Sequence, residues 1–424
     1  MRKFISSVLC FMLVMLCFTG CGSKETKDTS NPDNKTEPLV SSPESNTKPV
    51  TIKVWHDGNE AIMATIQDKV NETLAAEKIS VSFEKRTGLT DQIKLYGNDA
   101  NNGPDMYLYA HDSLGIYAEM GVLVPITDLI STDQMADLLP MTINACTYQD
   151  TQYLLPIYFE TLLFMYNKDM WEGEIPNTTE ELYEYMVAHT DETAGTYAVV
   201  NQHSTAYNVA PFINGFGGYI INSGGKPGLE EQATIDAITY NSKFAKLQAD
   251  GDYNTVTTLF NEGKAQAIIG GPWLISGIKE AGINLGIKSL AELKLPNGNG
   301  LAPYSGVQGI GVMSHAVKNK KAALSRVLEV IAGKELGIEL ANKSNCAPAN
   351  SKAYEEKTVT DNEMVYAIKV TAETAQPMPN VPQMNVMWTP TETLLALVNK
   401  SGADVAETAK QCQSEALTAI ADMQ

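Results

Sequence analysis

The chain lacks the short sequence signatures of most enzyme classes. It contains no G-x-x-x-x-G-K-[ST] phosphate loop, no H-E-x-x-H zinc motif, no C-x-x-C pair and no G-x-S-x-G nucleophile elbow. Its histidines show neither i, i+4 spacing nor grouping with cysteine, which gives a metal site little support; they are His56, His111, His189, His203 and His315. We therefore expect no cofactor and no catalytic metal.

Cysteine is too scarce for a disulfide framework. Two of the six cysteines, Cys10 and Cys17, fall in the apolar N-terminal segment, and Cys21 directly follows that segment. The other three, Cys146, Cys346 and Cys412, are widely separated along the chain. Such scattered cysteines do not indicate a disulfide-stapled domain.

Positive charge is also in short supply. Lys and Arg number 31 against 50 Asp and Glu, which gives a net charge of −19 and a pI near 4.7. This balance argues against binding to nucleic acid and against electrostatic docking on anionic lipid. We expect a well-hydrated surface and a monomeric protein.

Long apolar runs are absent except at the N-terminus. Two basic residues precede an apolar stretch from about Phe4 to Phe18, which is shorter than the roughly 20 residues of a membrane span and is typical of a secretory signal. The ending Phe18-Thr19-Gly20-Cys21 resembles the bacterial lipobox, although leucine is usual where Phe18 stands. We therefore predict a signal peptide over 1–20, with Cys21 lipidated and anchored to the outer face of the cell membrane. The alternative is an ordinary signal with an incidental cysteine.

The segment that follows the predicted anchor has almost nothing to bury. Residues 21–49 are rich in Ser, Thr, Asn, Pro and charge, which is typical of a disordered tether. From Val50 onward, apolar periodicity continues nearly to the C-terminus, and this length is enough for two lobes.

Strands and amphipathic helices alternate after Val50. VTIKVWHDG reads as a strand, and EAIMATIQDKVNETLAAEK reads as a helix that buries Ile62, Ile66, Val70 and Leu74. ISVSFEKR and PDMYLYAHD read as further strands. This series predicts a mostly parallel sheet with its ligand site at the carboxyl ends of the strands.

Three features point toward such a site. His56-Asp57 and His111-Asp112 each follow a strand, so we expect both aspartates to face one crevice, the alternative being that each caps the next helix. Trp273 follows a strand, with Pro272 at the first position of a helix, and either faces the crevice or fills the core.

The segment AQPMPNVPQMNVMW, which ends at Trp388, raises a separate question. Its prolines argue against a long helix and against a central strand. From the residues alone, Trp388 is a core residue, a docking anchor or a flat surface for a ligand.

Four long stretches give the chain a family resemblance: YAHDSLGIYAEMGVLVPI, LPIYFETLLFMYNKDMW, FNEGKAQAIIGGPWLISGI and MPNVPQMNVMW. In this order they resemble the maltose and maltodextrin-binding proteins of ATP-driven sugar importers. The resemblance implies a periplasmic-binding-protein-like α/β fold, with two lobes that close on an oligosaccharide by a hinge motion.

The resemblance also implies where the lobes begin and end. The chain would cross between lobes near Tyr158–Leu162, Gly306–Gly309 and Thr358–Met364. This divides it into an N-terminal lobe of 50–158 plus 309–358 and a C-terminal lobe of 159–308 plus 359–424. The stretch AALSRVLEVIAGKELGIELA would return to the first lobe as a helical segment that buries Leu324, Leu328 and Ile331.

The site residues that the resemblance implies are two tyrosines, two acidic residues and two tryptophans: Tyr109, Asp112, Glu160, Tyr207, Trp273 and Trp388. Asp57, Asn59 and Glu60 are possible further contacts. Departures from the family pattern at Ser113, Thr205 and Glu392 leave the identity of the sugar open.

The expected function is that of a substrate-binding lipoprotein of an ABC-type importer for malto-oligosaccharides, not an enzyme. Its partners would be a permease and a separate ATPase, since the phosphate loop is missing here. The alternatives are a binding protein for another oligosaccharide, a polyamine or a peptide, and a glycosidase that uses Asp112 and Glu160 as its carboxylate pair.

Overall fold

A computed structural model describes residues 48–247 and 251–423, which belong to one compact unit. The predicted signal peptide, the lipidation site Cys21 and the predicted tether up to residue 47 lie outside the described residues. Within the described ranges, no helix combines the length and the apolar character needed to cross a membrane.

The strands, in chain order, are β1 (Val50–His56), β2 (Ile79–Lys85), β3 (Met106–Ala110), β4 (Thr147–Tyr148), β5 (Thr151–Gln152), β6 (Leu154–Thr161), β7 (Leu163–Asn167), β8 (Tyr197–Val200), β9 (Ala265–Gly270), β10 (Leu285–Lys288), β11 (Tyr304–Val312), β12 (Ala347–Pro348) and β13 (Gln376–Pro377).

The α-helices are α1 (Glu60–Leu74), α2 (Leu89–Tyr96), α3 (Leu114–Glu119), α4 (Pro140–Ala145), α5 (Thr179–His189), α6 (Ala206–Gly215), α7 (Gln232–Ala245), α8 (Tyr253–Asn261), α9 (Ile275–Glu280), α10 (Ser314–Ala332), α11 (Lys334–Ser344), α12 (Lys357–Thr360), α13 (Glu363–Thr371), α14 (Met384–Ser401) and α15 (Val405–Ala421). Short 3-10 turns include His111–Ser113 and Pro272–Leu274.

The first sheet has the strand order β12-β6-β11-β3-β1-β2, with β13 paired to β11. The pairs β1–β2 and β1–β3 are parallel, as the alternation of strands and helices predicts. β11, however, lies antiparallel to both β3 and β6, and β12 is antiparallel to β6. Beyond the first three strands the prediction of a mostly parallel sheet was wrong, since only the short pair β11–β13 is parallel there. A parallel pair needs a crossover connection, and β11 does not reach β3 and β6 through one.

The second sheet has the order β10-β7-β9-β8, in which only β8 and β9 are parallel. The chain leaves the first sheet at the end of β6 and enters the second with β7, so Leu162 is the single residue that connects the two strands. The second predicted crossing falls within β11, and the third spans the end of α12 and the start of α13. The lobe boundaries themselves stay predictions.

Each sheet is covered by helices with apolar inner faces. Leu324, Leu328 and Ile331 are buried on α10, as predicted, but the segment is two helices, since α10 ends at Ala332 and α11 starts at Lys334. On α1 the buried residues start with Met63, whereas Ile62 is only half-buried.

The proline-rich segment before Trp388 behaves differently from its prediction. α14 begins at Met384 and runs for 18 residues, with Pro390 inside it. Trp388 therefore lies in a long helix, and the interpretation that prolines exclude one was wrong for this part of the segment. The prolines restrict only the chain ahead of the helix, because none falls between Pro382 and Pro390.

Candidate functional site

A cleft of about 740 Å³ lies among elements that belong to both sheets. Of the nine side chains that the sequence suggested, six line it: Asp57, Asn59, Tyr109, Glu160, Tyr207 and Trp273. The first four are carried by the first sheet and its connections, and the last two by α6 and by the turn after β9.

Three aromatic rings form much of the apolar surface. Tyr109 lies near the carboxyl end of β3, Tyr207 in the first turn of α6, and Trp273 in the 3-10 turn that Pro272 starts, as predicted. The ring centres of Tyr207 and Trp273 are 6.3 Å apart and tilted by 56°. All three rings are half-buried, so each keeps part of a face open to a ligand.

Glu160 is a half-buried carboxylate that lines the cleft. It lies on β6 opposite Gly306 of β11, and its Oε1 accepts a hydrogen bond of 2.9 Å from Nε2 of Gln308. Burial raises the pKa of Glu160 to about 7, and the bond from Gln308 opposes that rise. The carboxylate can still accept hydrogen bonds from a ligand, because Gln308 occupies one lone-pair direction only.

Asp112 lies beside the cleft rather than among its lining residues. Its Oδ1 is buried without a hydrogen-bond partner, and burial raises its pKa to about 6. Burial raises the pKa of Tyr109 to about 12, and the nearby carboxylates of Asp112 and Glu160 contribute to the rise. The expectation that Asp57 and Asp112 both line one crevice therefore holds for Asp57 only.

The residues after β1 take roles that differ from the prediction. Asp57 does not cap α1; its Oδ2 accepts from the backbone N–H of Gly88 at 3.0 Å. Asn59 is the cap, with Oδ1 accepting from the N–H groups of Ala61 and Ile62. Glu60 is exposed and lies outside the cleft lining.

Trp388 is half-buried on α14, where it packs against the core of the second sheet. It is not among the side chains that line the cleft. Its role as a sugar platform stays a prediction.

Several lining residues were not predicted. Tyr158 lies on β6 two residues before Glu160, so alternation along the strand could have placed both on one face. Gln308 lies on β11, and nothing in the sequence indicated that β11 pairs with β6. Tyr253 opens α8 directly after its cap, Asp252. Three lysines also line the cleft: Lys85, Lys279 and Lys343.

Neither a metal centre nor a reactive thiol emerges from the described ranges. No group of His, Cys, Asp and Glu there could hold a metal ion. Cys146, Cys346 and Cys412 are free and buried, and burial raises the pKa of each thiol. Cys346 also lines the cleft.

Comparison with known proteins adds three findings. The sequence profile of bacterial extracellular solute-binding proteins matches residues 68–367. The maltotriose-binding protein of Pyrococcus abyssi is 28% identical over 374 residues, which cover 86% of this chain and 82% of that protein. The galactooligosaccharide-binding protein of Bacillus subtilis is 27% identical over 448 residues, which cover 97% of each.

A solved structure supports the architecture. The crystal structure of a cyclo/maltodextrin-binding protein complexed with maltotetraose superposes with a TM-score of 0.77 at 22% identity, over 88% of this chain and 98% of that one. This likeness confirms the predicted fold class, an α/β periplasmic-binding-protein-like fold.

Proposed function

Because the chain belongs to the family of bacterial extracellular solute-binding proteins, we propose that it captures a malto-oligosaccharide outside the cytoplasm and delivers it to a membrane permease. Proteins of this family bind solutes for transport, so we propose no catalytic step for Asp112 and Glu160.

The observation that carries this proposal is the combination of half-buried rings and a half-buried carboxylate in one cleft. A pyranose ring has apolar C–H faces that stack on aromatic planes such as Trp273 and Tyr207, and its edge carries hydroxyls. Those hydroxyls can donate to the carboxylate of Glu160, which lines the cleft. The cleft volume of about 740 Å³ is in the range that encloses a small oligosaccharide.

We assign the sugar contacts to the predicted residues. Tyr109, Glu160, Tyr207 and Trp273 line the cleft, and Asp112 lies at its edge. Trp388 is included because α14 follows Met378, which lines the cleft. Asp57 and Asn59 are secondary contacts; Glu60 is the weakest of the possible contacts because it lies outside the lining.

A galacto-oligosaccharide is the second candidate ligand, favoured by the relative that covers 97% of this chain. Both sugars offer the same stacking faces and differ in hydroxyl orientation, so the carboxylates would discriminate between them. A polyamine is disfavoured, since Lys85 and Lys279 line the cleft and would repel its ammonium groups. An oligopeptide remains an outcome of the test.

The partners and the anchor are also proposals. A permease and a separate ATPase would complete the importer, with this chain acting as a monomer. Cys21 would carry the lipid that holds the protein at the outer face of the membrane. Mass spectrometry of the mature N-terminus tests the anchor: a diacylglyceryl-modified Cys21 supports it, and an unmodified residue elsewhere at the N-terminus contradicts it.

The ligand is tested by tryptophan fluorescence of the chain from Val50 onward. Maltose, maltotriose, maltoheptaose, a galacto-oligosaccharide, an oligopeptide and spermidine are titrated in parallel. We expect saturable changes with the maltodextrins. A response only to the galacto-oligosaccharide would change the ligand assignment to that sugar. No fluorescence change with any sugar would overturn the proposal.

The aromatic platforms are tested by substitution. Trp273→Ala should cost about 2 kcal/mol or more of sugar affinity, the magnitude of a buried aromatic hot spot. The matched control is Trp171→Phe, since Trp171 stacks on Tyr185 in the second core and lies outside the cleft lining. Trp388→Ala tests the platform on α14, and calorimetry measures all three affinities. Unchanged affinity in both alanine variants would remove the stacking assignment.

A further inference from the structure

The turn that carries Asp112 is held by a fully buried histidine. Nδ1 of His111 accepts a hydrogen bond of 3.1 Å from the backbone N–H of Val307 on β11. Since an accepting nitrogen carries no hydrogen, the proton lies on Nε2, which donates to the carbonyl of Met378 at 2.8 Å. One imidazole therefore joins the end of β3 to two distant segments of the chain.

A glycine four residues later makes a second joint to the same segment. The N–H of Gly115 donates to the carbonyl of Asn380 at 3.0 Å. A Cβ at Gly115 would lie 2.4 Å from that carbonyl oxygen and 2.7 Å from Cδ of Pro382, so the close approach requires glycine. The motif H-D-S-L-G of residues 111–115 thus docks on residues 378–382, which we call the docked segment.

The docked segment is fixed at further points. Nδ2 of Asn380 donates to the carbonyls of Ala145 and Thr147, at 3.1 and 2.8 Å. The N–H of Met378 donates to the carbonyl of Ser305 at 3.3 Å. These hydrogen bonds and the fixed φ angles of its prolines restrict the docked segment to one conformation.

The docked segment connects the cleft to the second core. Met378 lines the cleft, and the segment leads directly into α14, whose Met384, Met387 and Leu394 are buried in the second core. On the other side, Val307 belongs to the first core. His111 therefore bridges the two cores immediately beside Asp112.

We propose that His111 is a positioning residue for ligand binding: it holds Asp112 at the edge of the cleft and couples that edge to α14 through the docked segment. This inference rests on the proposed function, since it assumes that the cleft is the ligand site. The role is one of hydrogen bonding at two ring nitrogens, so a side chain that can both accept and donate should replace it in part.

The experiment compares His111→Gln with His111→Leu in the purified protein. The glutamine amide can accept from Val307 and donate to Met378, whereas leucine fills space without hydrogen bonds. The control is His203→Leu, since His203 is buried beside Asn241, with Nδ1 and Oδ1 2.6 Å apart, and lies outside the cleft lining. Hydrogen exchange of the Val307 and Gly115 amides, the affinity for maltotriose and the thermal midpoint are measured for each.

We expect His111→Leu to speed exchange of both amides and to weaken maltotriose binding, each by about tenfold, the factor that corresponds to one lost hydrogen bond. His111→Gln should restore both within about threefold of the wild type. His203→Leu should lower the thermal midpoint without changing affinity. If His111→Leu does not fold, Gly115→Ala replaces it, because the added Cβ separates the turn from the docked segment without touching the imidazole.

Three results would overturn the proposal: wild-type affinity in a folded His111→Leu or Gly115→Ala protein, no rescue by glutamine, or an equal loss of affinity in His203→Leu. The failure of the proposed function is distinguishable. Wild-type protein that does not bind maltotriose contradicts the ligand assignment, while the exchange rates of Val307 and Gly115 still decide whether His111 holds the turn on the docked segment.

Discussion

At the residue scale, Glu160 makes ligand affinity depend on pH. Burial raises its pKa to about 7 from the ordinary 4.5, so without ligand a large fraction of the protein holds a protonated Glu160 near neutral pH. Sugar hydroxyls that donate to the carboxylate stabilise its ionised form. Binding is therefore coupled to proton release, and affinity should fall as pH drops through 7.

The corresponding measurement is the affinity for maltotriose from pH 5.5 to 8.5, in the wild type and in Glu160→Gln. We expect wild-type affinity to fall by up to about thirtyfold between pH 8.5 and 5.5, because one proton linkage changes affinity by at most about tenfold per pH unit and the range extends about 1.5 units below the pKa of Glu160. Glu160→Gln should bind more weakly at pH 8 and show a flatter profile. Superimposable profiles would show that Glu160 does not contact the ligand.

The same shift has the opposite consequence for stability without ligand. The folded state binds a proton at Glu160 more tightly than the unfolded chain does. The stabilising contribution is therefore fully present below pH 4.5 and is lost as pH rises through about 7. His111 acts in the reverse sense, since burial lowers its pKa to about 4 from 6.5, and its contribution is lost as pH falls from 6.5 toward 4. The free energy of unfolding at pH 8, taken relative to its value at pH 5, should therefore be higher in Glu160→Gln than in the wild type. Urea unfolding measures both values.

Some of the residues that line the cleft stand at positions that local rules can read, whereas Glu160 and Tyr207 were suggested by the family resemblance alone. Tyr109 and Asp57 follow or end strands, and Trp273 follows a strand and a turn proline. Gln308 and Tyr253 escaped prediction for a different reason. Their place in the cleft depends on which strand pairs with β6 and on how α8 packs, and neither is encoded within a few residues of them.

At the scale of elements, Asn59 combines a helix cap with a place in the cleft. Its Oδ1 is occupied by the N–H groups at the start of α1, so its Nδ2 is the group left for a ligand. Asn59→Ala should destabilise the protein by about 1 kcal/mol, the usual cost of a lost N-cap. Asn59→Asp keeps the cap and suits the positive end of the helix, but it removes the amide donor.

Urea unfolding and maltotriose titration separate these two roles. We expect Asn59→Asp to keep wild-type stability and to lose affinity by a few fold, as for one missing hydrogen bond. Wild-type affinity in Asn59→Asp would confine the residue to the capping role, and an equal loss of stability in both variants would contradict the capping argument.

Element boundaries show why local rules fail where tertiary packing intervenes. α14 follows directly after a proline-rich segment and contains Pro390, because the burial of Met384, Met387 and Leu394 outweighs one missing backbone hydrogen bond. The strand–helix alternation correctly predicts β1, α1, β2 and β3, but it says nothing of β11, which reaches the same sheet from a much later part of the chain. Local pattern therefore predicts elements better than it predicts their neighbours.

At the scale of the whole molecule, two cores are joined by strands and segments that serve both. Tyr304, at the start of β11, is buried in the second core, whereas Val307 and Ile310 of the same strand are buried in the first. β6 and β7 are separated by Leu162 alone, yet they lie in different sheets. Such short, well-packed connections favour unfolding of residues 48–423 as one cooperative unit rather than lobe by lobe.

The buried thiols report on that cooperativity. Cys146 lies in the first core, Cys412 in the second, and Cys346 in the wall of the cleft. Burial raises the pKa of each, that of Cys412 to about 11, so neither accessibility nor thiolate character favours reaction in the native state. In the chain from Val50 onward, a disulfide reagent should label them only on unfolding, in one urea transition that coincides with the change in tryptophan fluorescence. Single Cys→Ser variants assign each thiol.

Maltotriose at 100 times its Kd should raise the free energy of unfolding of the whole transition by about 2.7 kcal/mol. Labelling of Cys412 at a lower urea concentration than Cys146 would show instead that the second core opens alone. In that case maltotriose would protect the two cores to different extents.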